Sequence, residues 1–143
     1  MADKQAEFER LGGRKLLEDV GKVFYDKIYS DPWLKNYFHN VEQEHIERQQ
    51  VNFMQAALGG DNIYAGKTPP HAHKHIYITD DVFKAREDLL KEAFAECHVS
   101  EEMIDKWLKI ESAFYGRVVK DSIDDCEQRY PAEGILDYPR PES

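Results

Sequence analysis

Cysteine is nearly missing from this sequence. Cys97 and Cys126 are the only two, too few for a disulfide scaffold and without the paired spacing of a zinc site. Positive charge is also scarce: 19 Lys+Arg stand against 28 Asp+Glu, a formal net charge of -9. That balance argues against binding a phosphate backbone, so no nucleic acid partner is expected. No stretch reaches the ~18 apolar residues a membrane span needs, and the opening "MADKQAEFER" lacks the apolar core of a signal peptide. These absences together predict a soluble protein in a reducing, cytoplasmic setting. Period-two alternation is missing too, which removes the usual signature of half-buried strands.

What is present is helical periodicity. At 143 residues with 41% hydrophobic content, the chain suits one domain with a real core. From Lys15 to Ser30, Leu16, Leu17, Val20, Val23, Phe24 and Ile28 keep helical spacing between Gly12-Gly13 and Asp31-Pro32. Asp31 is a candidate N-cap for a short second helix carrying Trp33, Leu34, Tyr37 and Phe38. A third run, Glu42 to Leu58, gathers Ile46, Gln50, Phe53, Met54, Ala57 and Leu58 before Gly59-Gly60 stops it. Gln50 is the polar exception on that face. Val82, Phe83, Arg86, Leu89, Leu90, Ala93, Phe94 and Cys97 mark a further helix, and Ser100 caps the last one, with Ile104, Trp107, Leu108, Phe114, Tyr115, Val118 and Val119 on its core side. The fold class expected is all-α.

The connection from Asp61 to Asp80 contains "TPPHAHKHIYITDD", with histidines at 71, 73 and 75. On a strand they would share one face and could begin a zinc site. In an all-α chain, positions i and i+2 point about 200° apart, so at most one of the three faces a given ligand. A single histidine is what haem iron needs. Solvated surface histidines are the plain alternative, and the stretch alone leaves both open.

Five pieces taken in order carry a resemblance: "LGG" at 11–13, "FYDKIYSDPWLKNYF" at 24–38, "RQQVNFMQAALGG" at 48–60, "YAG" at 64–66 and "HKHIYITDDVF" at 73–83. Over roughly residues 8–120 the chain resembles a group I truncated haemoglobin, a short globin built as a two-over-two helical sandwich around haem b. The resemblance implies a truncated globin domain over 1–121 and leaves 122–143 as a C-terminal tail of unknown role. It implies His73 as the iron ligand, because only that histidine is followed in the family's register by Ile76, Ile78, Thr79 and Phe83.

The same resemblance implies that Tyr25 donates a hydrogen bond to a ligand on iron and that Gln50 is the second polar group of that distal pocket. Phe38 is implied to pack on the haem face. Ile46, Phe53, Met54, Lys67, Ile78 and Phe83 are implied to line or edge the cofactor site. Plain core packing is the alternative for Tyr25, Phe38, Phe53 and Met54, and a boundary position facing water is the alternative for Gln50. The chain departs from the family at Pro69, where a Met is frequent, and at Pro70, and the two are expected to stiffen or redirect the short haem-side helix.

The function implied is binding of O₂, NO or CO at a His-ligated iron. It serves either reversible oxygen binding or, with an unidentified reductase, nitric oxide dioxygenation; a haem peroxidase activity is compatible with the same residues. A monomer or weak dimer is expected. The rival is a haem-free α-helical interaction domain, which the acidic composition and the unmatched tail would suit.

Overall fold

The computed structural model describes residues 4–38, 41–60, 76–120, 126 and 135–136. Five α-helices span α1 Lys4–Arg10, α2 Gly13–Ser30, α3 Gln43–Ala57, α4 Asp80–Glu96 and α5 Glu101–Val118, with a 3-10 helix at Leu34–Phe38. Helix α2 lies against both α3 and α4, as the expected two-over-two sandwich requires.

The core follows from the helical spacing. Leu17, Val20, Phe24 and Ile28 of α2 are essentially inaccessible, as are Met54 of α3, Leu90, Ala93 and Phe94 of α4, and Met103 and Trp107 of α5. Each large apolar side chain so buried contributes about 1.5–3 kcal/mol. The Phe94 and Trp107 rings, with centroids 5.1 Å apart and inclined at 69°, join α4 to α5 edge to face.

Local signals set the helix ends. Asp31 accepts from the Trp33 and Leu34 amides at 2.9 and 2.8 Å, which starts the 3-10 helix. Thr79 caps α4 through the Val82 amide, and Ser100 caps α5 through the Met103 amide, both at 3.2 Å. The two glycine pairs have different tasks. Gly12, at φ +130°, sits in a conformation L side chains rarely adopt and turns the chain from α1 into α2. Gly60 closes α3 where a Cβ would meet the Phe8 ring of α1 at 2.8 Å.

Three features differ from what periodicity predicts. Helix α1 is additional; its anchor is Phe8, 2% exposed. On α3 the buried side is Val51, Met54 and Gln55, while Ala57 is exposed. Gln55 tolerates burial because Arg14 donates to its side-chain oxygen at 3.2 Å and to Asn52 at 3.0 Å. Isolated parallel bridges, Ile76 with Leu136 and Ile78 with Val119, also occur in this otherwise helical chain. The Tyr77 amide donates to the Leu136 carbonyl and the Lys120 amide to the Ile78 carbonyl, both at 2.8 Å. Part of the tail is therefore drawn onto the segment that leads into α4.

Among the described residues no helix is long and apolar enough to cross a membrane.

Candidate haem pocket

Tyr25 faces inward from the middle of α2 because it follows Phe24 on the buried side of that helix. It is 4% exposed. Its ring lies 4.8 Å from that of Phe24, inclined at 60°, and 6.1 Å from that of Phe38 at 77°. Its hydroxyl has no hydrogen-bond partner among the described residues. Burial pushes the phenol up to about 12, against the pull of the Arg86 charge. Tyr25 is thus a neutral O–H donor in a dry setting. Leaving such a donor unpaired costs about 1–3 kcal/mol, which is recovered only when something in the adjoining space accepts from it.

Ile46, Gln50 and Phe53 stand at i, i+4 and i+7 of α3 and share one stripe. All three are half-buried, in contrast to the fully packed Val51 and Met54 beside them. Phe38 is half-buried as well, and Phe38, Ile46 and Phe53 all rest against the core from its edge. Met54, 1% exposed, lies within the core. Ile78 and Phe83, at 9% and 8% exposure, belong to the buried core. The structure brings Tyr25 and Phe38 together directly, whereas no hydrogen bond joins Tyr25 to Gln50 among the described residues. His73 and Lys67 lie outside the described residues, as do His71, His75, Pro69 and Pro70.

Sequence reasoning missed a charged cluster next to Tyr25. Arg86 of α4 donates through Nη1 and Nη2 to the two carboxylate oxygens of Glu111 in α5, at 2.7 and 3.3 Å. Trp107 Nε1, one turn before Glu111, donates to the same carboxylate at 3.3 Å. The Arg86 and Glu111 side chains are 25% and 10% exposed, and the guanidinium carbon lies 5.0 Å from the Phe24 ring centroid. Desolvation is the largest influence and opposes the Arg86 charge, yet Glu111, Tyr25 and Glu87 together hold the guanidinium above its ordinary range. The available signal was an arginine at an apolar register position of α4; its partner on the next helix carried none.

Comparison with known proteins places this arrangement. The bacterial-like globin family model matches residues 6–119. The group 1 truncated hemoglobin of Tetrahymena thermophila is 35% identical over 103 residues, which cover 72% of this chain and 85% of that protein. The solved Fe(III) form of the truncated hemoglobin from Tetrahymena pyriformis aligns with a TM-score of 0.72 and 28% identity, covering 80% of this chain and 97% of that one. The 2/2 hemoglobin of a Synechococcus species, solved in the cyanomet state with covalently attached heme, gives 0.69 and 27%, covering 77% and 93%. The chain belongs to the bacterial-like globins, and among them to the group I truncated haemoglobins.

Haem is the cofactor of that family, and the residues described here fit it. A flat apolar macrocycle would cover the half-exposed Phe38, Ile46 and Phe53, and a ligand beside it would find the Tyr25 hydroxyl, unpartnered among the described residues.

Proposed function

We propose that this haem-binding globin binds O₂ and other diatomic gases in a pocket served by Tyr25 and Gln50, and that it supports oxygen binding or nitric oxide dioxygenation. The observation that carries the reading is the buried Tyr25 hydroxyl, which has no hydrogen-bond partner among the described residues. When bound, haem supplies the iron on which a diatomic ligand is held. His73 would hold that iron through a ring nitrogen free of its proton, which makes cofactor retention acid-sensitive. Tyr25 would donate a hydrogen bond to a ligand held there, and a dry setting would strengthen that bond. Gln50 offers a second polar contact from α3. Lys67 would serve at the cofactor's edge, and Phe38, Ile46 and Phe53 would exclude water.

In the dioxygenase reading, one O₂, one NO and one electron from a reductase give one nitrate. Reversible binding uses the same residues without the electron supply. Mixing the oxygenated protein with NO and a reductase separates them: sustained nitrate formation marks the enzyme, and a single turnover marks the carrier. Optical spectra of ferric, ferrous and CO forms, in wild type and His73→Ala, test the shared premise. A haem band that His73→Ala leaves unaltered would remove His73 from its role, and a colourless chain that takes up no haemin would overturn the whole reading.

A further inference from the structure

The strip Ile76–Ile78 is held by residues far along the chain. From within the strip comes a single backbone bond, the Ile78 amide donating to the Ile76 carbonyl at 3.0 Å. The C-terminal part adds three at 2.8 Å: the Lys120 amide donates to the Ile78 carbonyl, the Lys120 ammonium to the Ile76 carbonyl, and the Leu136 carbonyl accepts from the Tyr77 amide. The ammonium is a charged donor and makes a stronger bond than a neutral one. Two parallel bridges, Ile76 with Leu136 and Ile78 with Val119, accompany these bonds, and Ile76, Val119 and Leu136 all rest against the core. Three successive residues are thus tied through their backbone to Lys120 and Leu136.

Two observations give this clamp a purpose beyond packing a terminus. The first is its origin. The match to the bacterial-like globin family ends at residue 119, so Lys120 and Leu136 both stand outside the part of the chain that carries the family likeness. The second is what it holds. Thr79, directly after the strip, caps α4, and His73 precedes Ile76 by three residues, a reach of at most about 11 Å. The strip therefore links the histidine read as iron ligand to the first turn of α4. A connecting segment is ordinarily looser than the helices it joins, and these ties anchor it.

We propose that Lys120 and Leu136 are positioning residues for the haem-ligating segment: they fix the strip 76–78 and, through it, the direction from which His73 meets the iron. This rests on the assignment of His73 above and adds a role for residues beyond the globin match. Both act through the strip rather than through contact with a ligand.

The test compares the haem proteins of wild type, Lys120→Met, Lys120→Arg and a chain ending at Asp121. Resonance Raman spectra of the ferrous, ligand-free forms read the iron–histidine stretch, and transfer of haem to an acceptor apoprotein reads retention. Lys120→Met and the shortened chain should shift or broaden the iron–histidine band and speed transfer by about fivefold or more, as the loss of one hydrogen bond implies. Lys120→Arg keeps a charged donor and should retain the wild-type band. Should the shortened chain fail to fold, the two Lys120 variants decide alone. A merely structural clamp would lower the denaturation midpoint and leave the band in place. That result, or a Lys120→Arg band displaced as far as that of Lys120→Met, would overturn the proposal. A wild type without an iron–histidine band, or a band that survives His73→Ala, would instead overturn the histidine assignment beneath it.

Discussion

Lys120 grips the strip leading into α4 twice: its amide donates to the Ile78 carbonyl and its ammonium to the Ile76 carbonyl, both at 2.8 Å. Ile76 is the third residue after His73 in the sequence. Leu136 adds a third tie by accepting from the Tyr77 amide. Lys120→Met keeps the amide bond and removes only the ammonium. It should cost about 1 kcal/mol of stability, because the ammonium is partly solvated, and it should speed haem transfer to an acceptor apoprotein. Truncation after Asp121 should release the Tyr77 amide to hydrogen exchange, which mass spectrometry of the peptide spanning it would detect. A Tyr77 amide equally protected in the truncated chain would show that Leu136 is not what holds it.

Tyr25→Phe separates function from stability. The hydroxyl is buried and unpaired among the described residues, so in the haem-free chain its removal should leave the denaturant midpoint unchanged or raise stability by up to about 1 kcal/mol. In the haem protein the same change removes a charge-assisted hydrogen bond of about 1.5–3 kcal/mol. O₂ dissociation should then quicken roughly ten- to hundredfold. Stopped-flow displacement of O₂ by CO measures it. An unchanged off-rate would leave Tyr25 a core residue.

The elements that could be read from the sequence are those whose information is local. The apolar repeat of α2, the Asp31 cap and the Ser100 cap each lie within a few residues of what they organise, and each appears in the structure. Helix α1 escaped notice because one buried residue, Phe8, against six that are not makes no stripe. What holds it is Gly59-Gly60, far along the chain, where the missing side chains admit Lys4 and Phe8. Ile76 and Leu136 pair as single residues rather than as strands, so no alternation announces them. Of the pocket, Tyr25 and Phe38 were named from the family resemblance and are found in ring contact. Arg86 was seen only as a member of an apolar face, since its meaning depends on a carboxylate one helix away.

Alkaline pH should expose Tyr25 through folding stability. The folded phenol is pushed up to about 12, while an unfolded tyrosine titrates near 10. Below about pH 10 both states hold the proton and the group contributes no slope. Between about 10 and 12 the unfolded chain releases it first, so stability falls as pH rises through that window. Urea midpoints of wild type and Tyr25→Phe, compared across it, isolate this residue from the other tyrosines. The variant should lose less stability than the wild type, and parallel curves would mean that the phenol is solvated.

The charged pair predicts its own energetic signature. Glu111→Leu strands a guanidinium that is only 25% exposed and frees the Trp107 indole N–H from its acceptor, which should cost about 3–5 kcal/mol. Arg86→Leu strands the carboxylate at a similar cost, softened where Trp107 still donates to it. The double variant leaves no charge behind, and its two leucines fill much of the same space between Phe24 and Trp107. It should therefore be markedly more stable than either single variant, within about 1–2 kcal/mol of the wild type. Chemical denaturation of the four proteins completes the cycle. Losses that simply add would mean that the two side chains are solvated separately and do not act as one buried unit.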